Sequence, residues 1–384
     1  MKVKKDKGKI LNWHMLSWVT TGMKHEALFY NSEGDSKVGC YLCPHKCVIA
    51  NGKLGYCGVR KNIDGKLYSL IYGKVSSACA DAIEKKPLYH FYPGSNTFSI
   101  GSLGCNMRCS HCQNWEIAHS RADNGNRDTS YISPEELITL TLRNKCKGIS
   151  WTYNEPTIWM EYAIDGAKLA KENGLYTVFV TNGYIESEAL DAIGPYLDAY
   201  RVDIKGFNGY KGTSEAGIKV NSEFQDSRHC FYRDVANVKS VKPILDAAIR
   251  AKTRWNMHIE IITNVVPGYN DDFDELRGIA KWMVQNLGDD TPWHLSRFHP
   301  HLELSHVQPT PISTLERARK TGVEEGLKYV YTGNVPGHKW ENTYCCGCGK
   351  LLIERCGFSV KSFEVKDRSC VKCGAEIPIV GNFG

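Results

Sequence analysis

The chain has 384 residues, a formal net charge of +6, and 42% hydrophobic and 23% charged residues, the proportions of an ordinary globular protein with room for one large domain and one or two small ones. The charge is modest for this length and no long basic run is present, so nucleic acid is not indicated as a partner. No apolar run reaches the about eighteen residues needed to cross a membrane, and the lysine-rich start (MKVKKDKGK) leads into Trp13, His14 and Trp18 rather than a signal-peptide core, so a cytoplasmic location is expected.

Residues 1–38 are polar with a few aromatics and carry little that can be read. Then GCYLCPHKCVIANGKLGYCGVR places Cys40, Cys43, Cys47 and Cys57 close together, followed by a short alternating run (Leu67 to Tyr72) suited to a strand. The 16 cysteines of a chain without an export signal, several in CxxC spacing, point to metals rather than disulfides, and to an anaerobic or strongly reducing cell. This first group is a candidate second metal site in a Cys-rich module over 1–95. It reads as an auxiliary iron–sulfur cluster or as a zinc staple, and the zinc or purely structural reading is preferred because spacing alone does not choose the metal.

From Asn96 strands alternate with helices, which predicts parallel βα units over 96–335. Buried strands are expected at Thr97 to Leu103, Gly148 to Tyr153, Tyr176 to Thr181, Tyr200 to Lys205, His258 to Val266 and Trp293 to Phe298, with a seventh arguable at Tyr329 to Tyr331. Amphipathic helices are expected at Pro134 to Asn144, Ile158 to Glu172, Glu186 to Ile193, Val241 to Lys252, Asp271 to Gln285 and Ile312 to Glu325. The fold class is therefore α/β, a partial (β/α)6 TIM-type barrel, whose chemistry belongs at the carboxyl ends of the strands.

The loop after the first of these strands, GCNMRCSHC, carries Cys105, Cys109 and Cys112. Three thiolates this close can hold three irons of a cubane [4Fe-4S] cluster and leave the fourth iron open to a ligand. A zinc knuckle is the alternative, but no fourth cysteine follows nearby. Glu155 follows the second strand, Thr181 and Asn182 end the third, Asp203 and Lys205 end the fourth, and His294 sits on the sixth. Each has a plain structural reading as well: a helix N-terminal acid, an ordinary TNG turn, a surface ion pair, a core histidine. The segment between Gly206 and Val241 is longer than a usual connection and reads equally as an active-site loop or a surface insertion; His229 and Cys230 inside it are too isolated to assign.

Over 336–384, Cys345 with Cys348 and Cys370 with Cys373 form two CxxC pairs, each followed by glycine, with strands expected between them at Leu351 to Glu354 and Phe358 to Val365. This is the pattern of a zinc ribbon. Cys79, Cys346 and Cys356 read as bystanders.

The CxxxCxxC loop, entered from an apolar strand, resembles the signature of radical S-adenosylmethionine (SAM) enzymes. The wider set YLCPHKC, EKKPLYHFYPG, QNWEIA, TYNEPTIW, VPGYNDD, TPWHLSRFHP and YVYTGNVPG is similar to proteins related to pyruvate formate-lyase activating enzymes, specifically the AmmeMemoRadiSam-system group. The resemblance implies a radical SAM barrel in which the open iron chelates SAM, an electron from the reduced cluster cleaves it, and the resulting 5'-deoxyadenosyl radical abstracts hydrogen from a substrate. It implies that Glu155 meets the SAM amino group in place of the acid of a Gly-Gly-Glu motif, although Tyr153 and Asn154 replace the glycines. It further implies SAM contacts at Asp203, Lys205 and His294, and it puts His111 where an aromatic ring usually lies near the adenine; Thr181 and Asn182, at their strand end, offer a hydroxyl and an amide to the ribose or adenine. An electron donor such as flavodoxin or ferredoxin, and a partner protein or small metabolite as substrate, are the partners expected. The opposing hypothesis is a metal-rich redox or scaffold protein that abstracts no hydrogen.

Overall fold

The computed structural model describes residues 25–123, 128–207 and 230–381. Trp13, His14, Trp18, His229 and most of the 206–241 insertion lie outside the described residues.

Eight strands lie side by side in chain order: β1 (Ser77–Ala82), β2 (Asn96–Gly101), β3 (Gly148–Trp151), β4 (Tyr176–Thr181), β5 (Ala199–Asp203), β6 (His258–Val265), β7 (Trp293–Arg297) and β8 (Val330–Gly333). From β2 onward all pairings are parallel, and β1 lies antiparallel to β2 at the edge. One main helix crosses between each successive parallel pair: α1 (Pro134–Arg143), α2 (Met160–Glu172), α3 (Ser187–Ile193), α4 (Lys242–Thr253), α5 (Phe273–Leu287) and α6 (Ile312–Glu324). The helix starts are chemically marked. Ser133 accepts from the Glu136 amide with Pro134 in the first turn, and Asp272 accepts from the Asp274 and Glu275 amides.

Every strand expected from the alternating pattern is present, and the arguable seventh is real. Two differences have physical causes. Strand β1, SACADA, has a mostly exposed face and no apolar alternation, so nothing in its sequence announces it. Strand β3 stops at Trp151 because Tyr153 takes a left-handed conformation, φ 71°, and turns the chain toward Glu155. Ahead of the sheet, residues 25–75 form short antiparallel ribbons, including Tyr30–Ser32 with Val38–Cys40 and Arg60–Ile63 with Lys66–Ser69. After it, Thr343–Tyr344, Leu351–Cys356 and Ser359–Phe363 form a three-stranded antiparallel sheet.

The amino ends of the strands are floored by residues 84–94. The Glu260 carboxylate on β6 accepts from the Tyr89 and His90 amides at 3.0 and 2.8 Å, from His258 at 2.9 Å and from His294 at 2.6 Å. His90 in turn bonds the Tyr331 hydroxyl at 2.6 Å and the Pro378 carbonyl at 3.3 Å, and Phe91 bridges Val380. Arg355 of the C-terminal sheet donates to the Tyr89 carbonyl at 2.8 Å, so that sheet is docked on the floor. A hollow of about 750 Å³ opens at this same end, bounded by Asp198, Trp255 and His258. No described helix is long and apolar enough to cross a membrane.

Candidate metal and cofactor site

The loop carrying Cys105, Cys109 and Cys112 leaves the carboxyl end of β2, opposite the floor. Backbone bonds tie it on three sides: Gly104 donates to the Ile117 carbonyl at 2.8 Å, Ser110 to Val235 at 2.9 Å, and Glu303 to Ser110 at 3.0 Å. Arg108 donates to the carbonyls of Cys105 at 2.7 Å and Tyr56 at 2.9 Å, and the His45 ring donates to the Asn106 carbonyl at 2.8 Å. A loop so fully paired presents its side chains in a set geometry without a bound group.

Burial pushes all three thiols up, Cys109 to about 11, so ionising them calls for a bound cation. No three of their sulfurs lie within 4.8 Å of one another. Four sulfurs around one zinc stand about 3.8 Å apart at a Zn–S distance of about 2.3 Å, so this loop is too open for a zinc knuckle. Three spread thiolates with no fourth cysteine in the loop fit a cubane with an open iron. His111 supports the fit: it is buried, its Nδ1 has no hydrogen-bond partner, and burial first, then the charge of Lys205, lower its pKa to about 3, so the ring is neutral.

Glu155 is 1% exposed and both its oxygens are engaged. Oε1 accepts from the Thr157 amide at 2.9 Å and the Thr181 hydroxyl at 2.7 Å, and Oε2 from the Asn182 amide at 2.8 Å. The carboxylate thereby fastens the end of β4 to the end of β3. Asn182 carries the link onward, donating to Asn106 Oδ1 at 2.9 Å and facing Cys105 Sγ at 3.7 Å. Asn154, in place of a motif glycine, donates to the Gly104 carbonyl at 2.9 Å and accepts from the Ser102 amide at 3.0 Å. Asn154 thus braces the cysteine loop, while the Tyr153 hydroxyl bonds Asp81 on β1 at 3.1 Å.

Asp203 and Lys205 meet at 2.5 Å, and Arg201, on the same face of β5, also pairs with Asp203. Two cations share one carboxylate, so the group is net positive. Lys205 is half-buried, and its desolvation lowers its pKa, while the nearby Cys109 sulfur opposes that shift. Arg201 and Asn106 were not singled out in sequence; the alternation Arg201, Asp203, Lys205 was the available signal for the first, and Asn106 carried none.

The structure therefore gathers Cys105, Cys109, Cys112, His111, Glu155, Thr181, Asn182, Asp203 and Lys205 around one strand-end region. His294 stands apart: it is bonded to Glu260 and packed between Tyr89 and Tyr331, within the floor network.

Two other cysteine sets are formed. Among the described residues, Cys345, Cys348, Cys370 and Cys373 are the set whose sulfurs all lie within 4.8 Å, with edges of 3.5 and 3.8 Å. Cys40, Cys43, Cys47 and Cys57 line one hollow.

A model of the family described as the radical SAM superfamily matches residues 99–283. An uncharacterized protein of Methanocaldococcus jannaschii is 44% identical over 359 residues, 92% of this chain and 99% of that one. The pyruvate formate-lyase-activating enzyme of Clostridium pasteurianum is 25% identical over 253 residues, 62% of this chain and 91% of its own. The pyruvate formate-lyase 1-activating enzyme of Escherichia coli (strain K12) is 21% identical over 243 residues, 59% of this chain and 89% of its own.

Proposed function

Because this chain belongs to the radical SAM superfamily and is an enzyme of that class, we propose that Cys105, Cys109 and Cys112 hold the [4Fe-4S] cluster that the family implies, and that SAM binds beside it. Together the two cofactors supply a carbon radical able to abstract hydrogen from an unactivated C–H bond. The observation that carries the reading is the convergence of three spread thiols with the Asp203–Lys205 pair at the carboxyl ends of a parallel sheet, here taken as the partial barrel.

The chain's own residues divide the remaining work. Lys205 and Asp203 face the zwitterionic end of SAM with opposite charges, and the net positive charge of their group favours the carboxylate. Glu155 acts through the turn it fastens: it orients Asn182 and Thr181 rather than reaching SAM with a free oxygen. His111, neutral and buried, offers a flat face and an unused Nδ1 to the nucleoside. His294 is assigned to the floor. The C-terminal cysteines hold zinc, which staples a sheet docked away from the cofactors. A carrier such as flavodoxin or ferredoxin supplies the electron in a reducing cytoplasm.

Two relatives are named as activating enzymes, and the chain spans about nine-tenths of each, so a partner protein is the first substrate class to test and a small metabolite the second. The experiment is anaerobic reduction of the reconstituted protein with SAM, with 5'-deoxyadenosine measured by mass spectrometry. Release by the wild type and none by Cys109→Ala supports the reading. A full cluster that cleaves no SAM under strong reduction, with or without candidate partners, returns the protein to the scaffold hypothesis.

A further inference from the structure

The amino-terminal cysteines offer more than a staple. Cys40, Cys43 and Cys57 are buried and Cys47 half-buried, and all four line one hollow. The spacing of the sulfurs separates the possible metals. No three of the four sulfurs lie within 4.8 Å of one another, whereas the C-terminal set, at 3.5 and 3.8 Å, already stands at zinc spacing. Four thiolates too far apart for one ion suit a cubane, which takes one cysteine on each iron.

A second observation points into the same space. Arg60 lines the hollow and is 1% exposed, yet its Nε and Nη1 have no hydrogen-bond partner. Its Nη2 is occupied by the Leu28 carbonyl at 3.1 Å and by the Glu161 carboxylate. Two buried donors on a guanidinium are costly to leave unmet, and sulfur atoms bearing negative charge are the acceptors the pocket provides.

We propose that Cys40, Cys43, Cys47 and Cys57 bind a second [4Fe-4S] cluster, with Arg60 donating to its sulfurs. It lies next to the first. A Cβ built on Gly104, the residue before Cys105, would stand 2.6 Å from the Cys57 carbonyl oxygen and 3.1 Å from Ile158, which also lines the hollow. Val59 Cγ1 stands equally near, at 2.6 Å, so the backbone that carries Cys57 packs against the backbone that leads into Cys105.

The proposal is independent of SAM chemistry and is tested on the full chain without it. Wild type is reconstituted anaerobically, metals are counted, and iron is typed by Mössbauer spectroscopy; Cys105→Ala/Cys109→Ala/Cys112→Ala is treated alike. The expected result is about eight irons and about one zinc in wild type, and about four irons in the triple variant. The reduced triple variant should give a [4Fe-4S] electron paramagnetic resonance signal that added SAM does not change. About four irons with about two zincs in wild type overturns the proposal, as do about four irons with the thiols of Cys40, Cys43, Cys47 and Cys57 open to alkylation. Should the triple variant fail to fold, the wild-type count decides. Loss of 5'-deoxyadenosine formation with eight irons present would instead count against the radical SAM reading.

Discussion

Gly104 and Cys57 touch backbone to backbone, and the contact has no room for a side chain. Gly104 adopts φ 83°, and a Cβ there would lie 2.6 Å from both the Cys57 carbonyl oxygen and Val59 Cγ1. Gly104→Ala combines a left-handed backbone with overpacking and should cost about 2–4 kcal/mol. Thermal melting measures the loss, and because the site of strain is the cysteine loop, iron retention should fall with it. An unchanged melting temperature would mean that the loop is free to move away from the amino-terminal module.

Glu155→Ala removes an acceptor from the Thr157 and Asn182 amides and the Thr181 hydroxyl at once. Leaving those donors buried should cost about 2–4 kcal/mol. If Glu155 acts through the turn, Glu155→Gln should recover part of the stability and of the iron content together. A variant with full iron and normal melting, but weakened SAM binding, would instead place the carboxylate on the cofactor.

Lys205→Met should leave the iron content near wild type while lowering 5'-deoxyadenosine formation by about 10²-fold, the usual scale for removing one preorganised electrostatic contact. Asp203→Asn should weaken SAM binding less, because Arg201 and Lys205 remain. Loss of iron in Lys205→Met would reassign the lysine to holding the loop.

The floor should be acid-sensitive. Burial lowers the His90 pKa to about 3 and that of His294 below its ordinary value, so an unfolded chain takes up protons that these rings refuse when folded. The Glu260 carboxyl is likewise held below its usual range, with the His258 and His294 hydrogen bonds outweighing the penalty of burial. All three act in one direction: stability falls as pH drops below about 6.5, and falls further through the carboxylate range. Urea midpoints at pH 7.5 and 5 measure it, and His90→Gln should reduce the difference between them.

Replacing Cys348 with serine should remove zinc from the C-terminal set while leaving iron in place, because its sheet rests on Tyr89, Tyr329 and Tyr331 at the far end of the strands. Paired iron and zinc analysis checks this. Iron lost together with zinc would show that the two ends of the sheet depend on each other.

Much of this architecture is legible in sequence because parallel strands buried on both faces must be apolar runs, and their helices must alternate with them. The runs at Tyr176 and His258 and the three cysteine groups declare themselves that way. What is hidden depends on contacts far apart in the chain. Nothing near His294 says that it will meet Glu260, 34 positions away, rather than a ligand. Nothing near Arg60 announces its empty donors. Tyr153 misleads for a different reason: it keeps a left-handed backbone that a glycine would adopt freely, held by Asn114 on its carbonyl at 2.7 Å and by Asp81 on its hydroxyl at 3.1 Å.

The floor joins residues that are 288 positions apart, His90 to Pro378. During synthesis the 84–94 segment emerges early and waits for almost the whole chain before its partners arrive, whereas the backbone ties of the cysteine loop are complete once Glu303 and Leu304 have emerged. The upper end of the sheet can therefore gather its metal while the lower end is still open, and truncation near residue 378 should trap a protein that has taken up iron but has not closed.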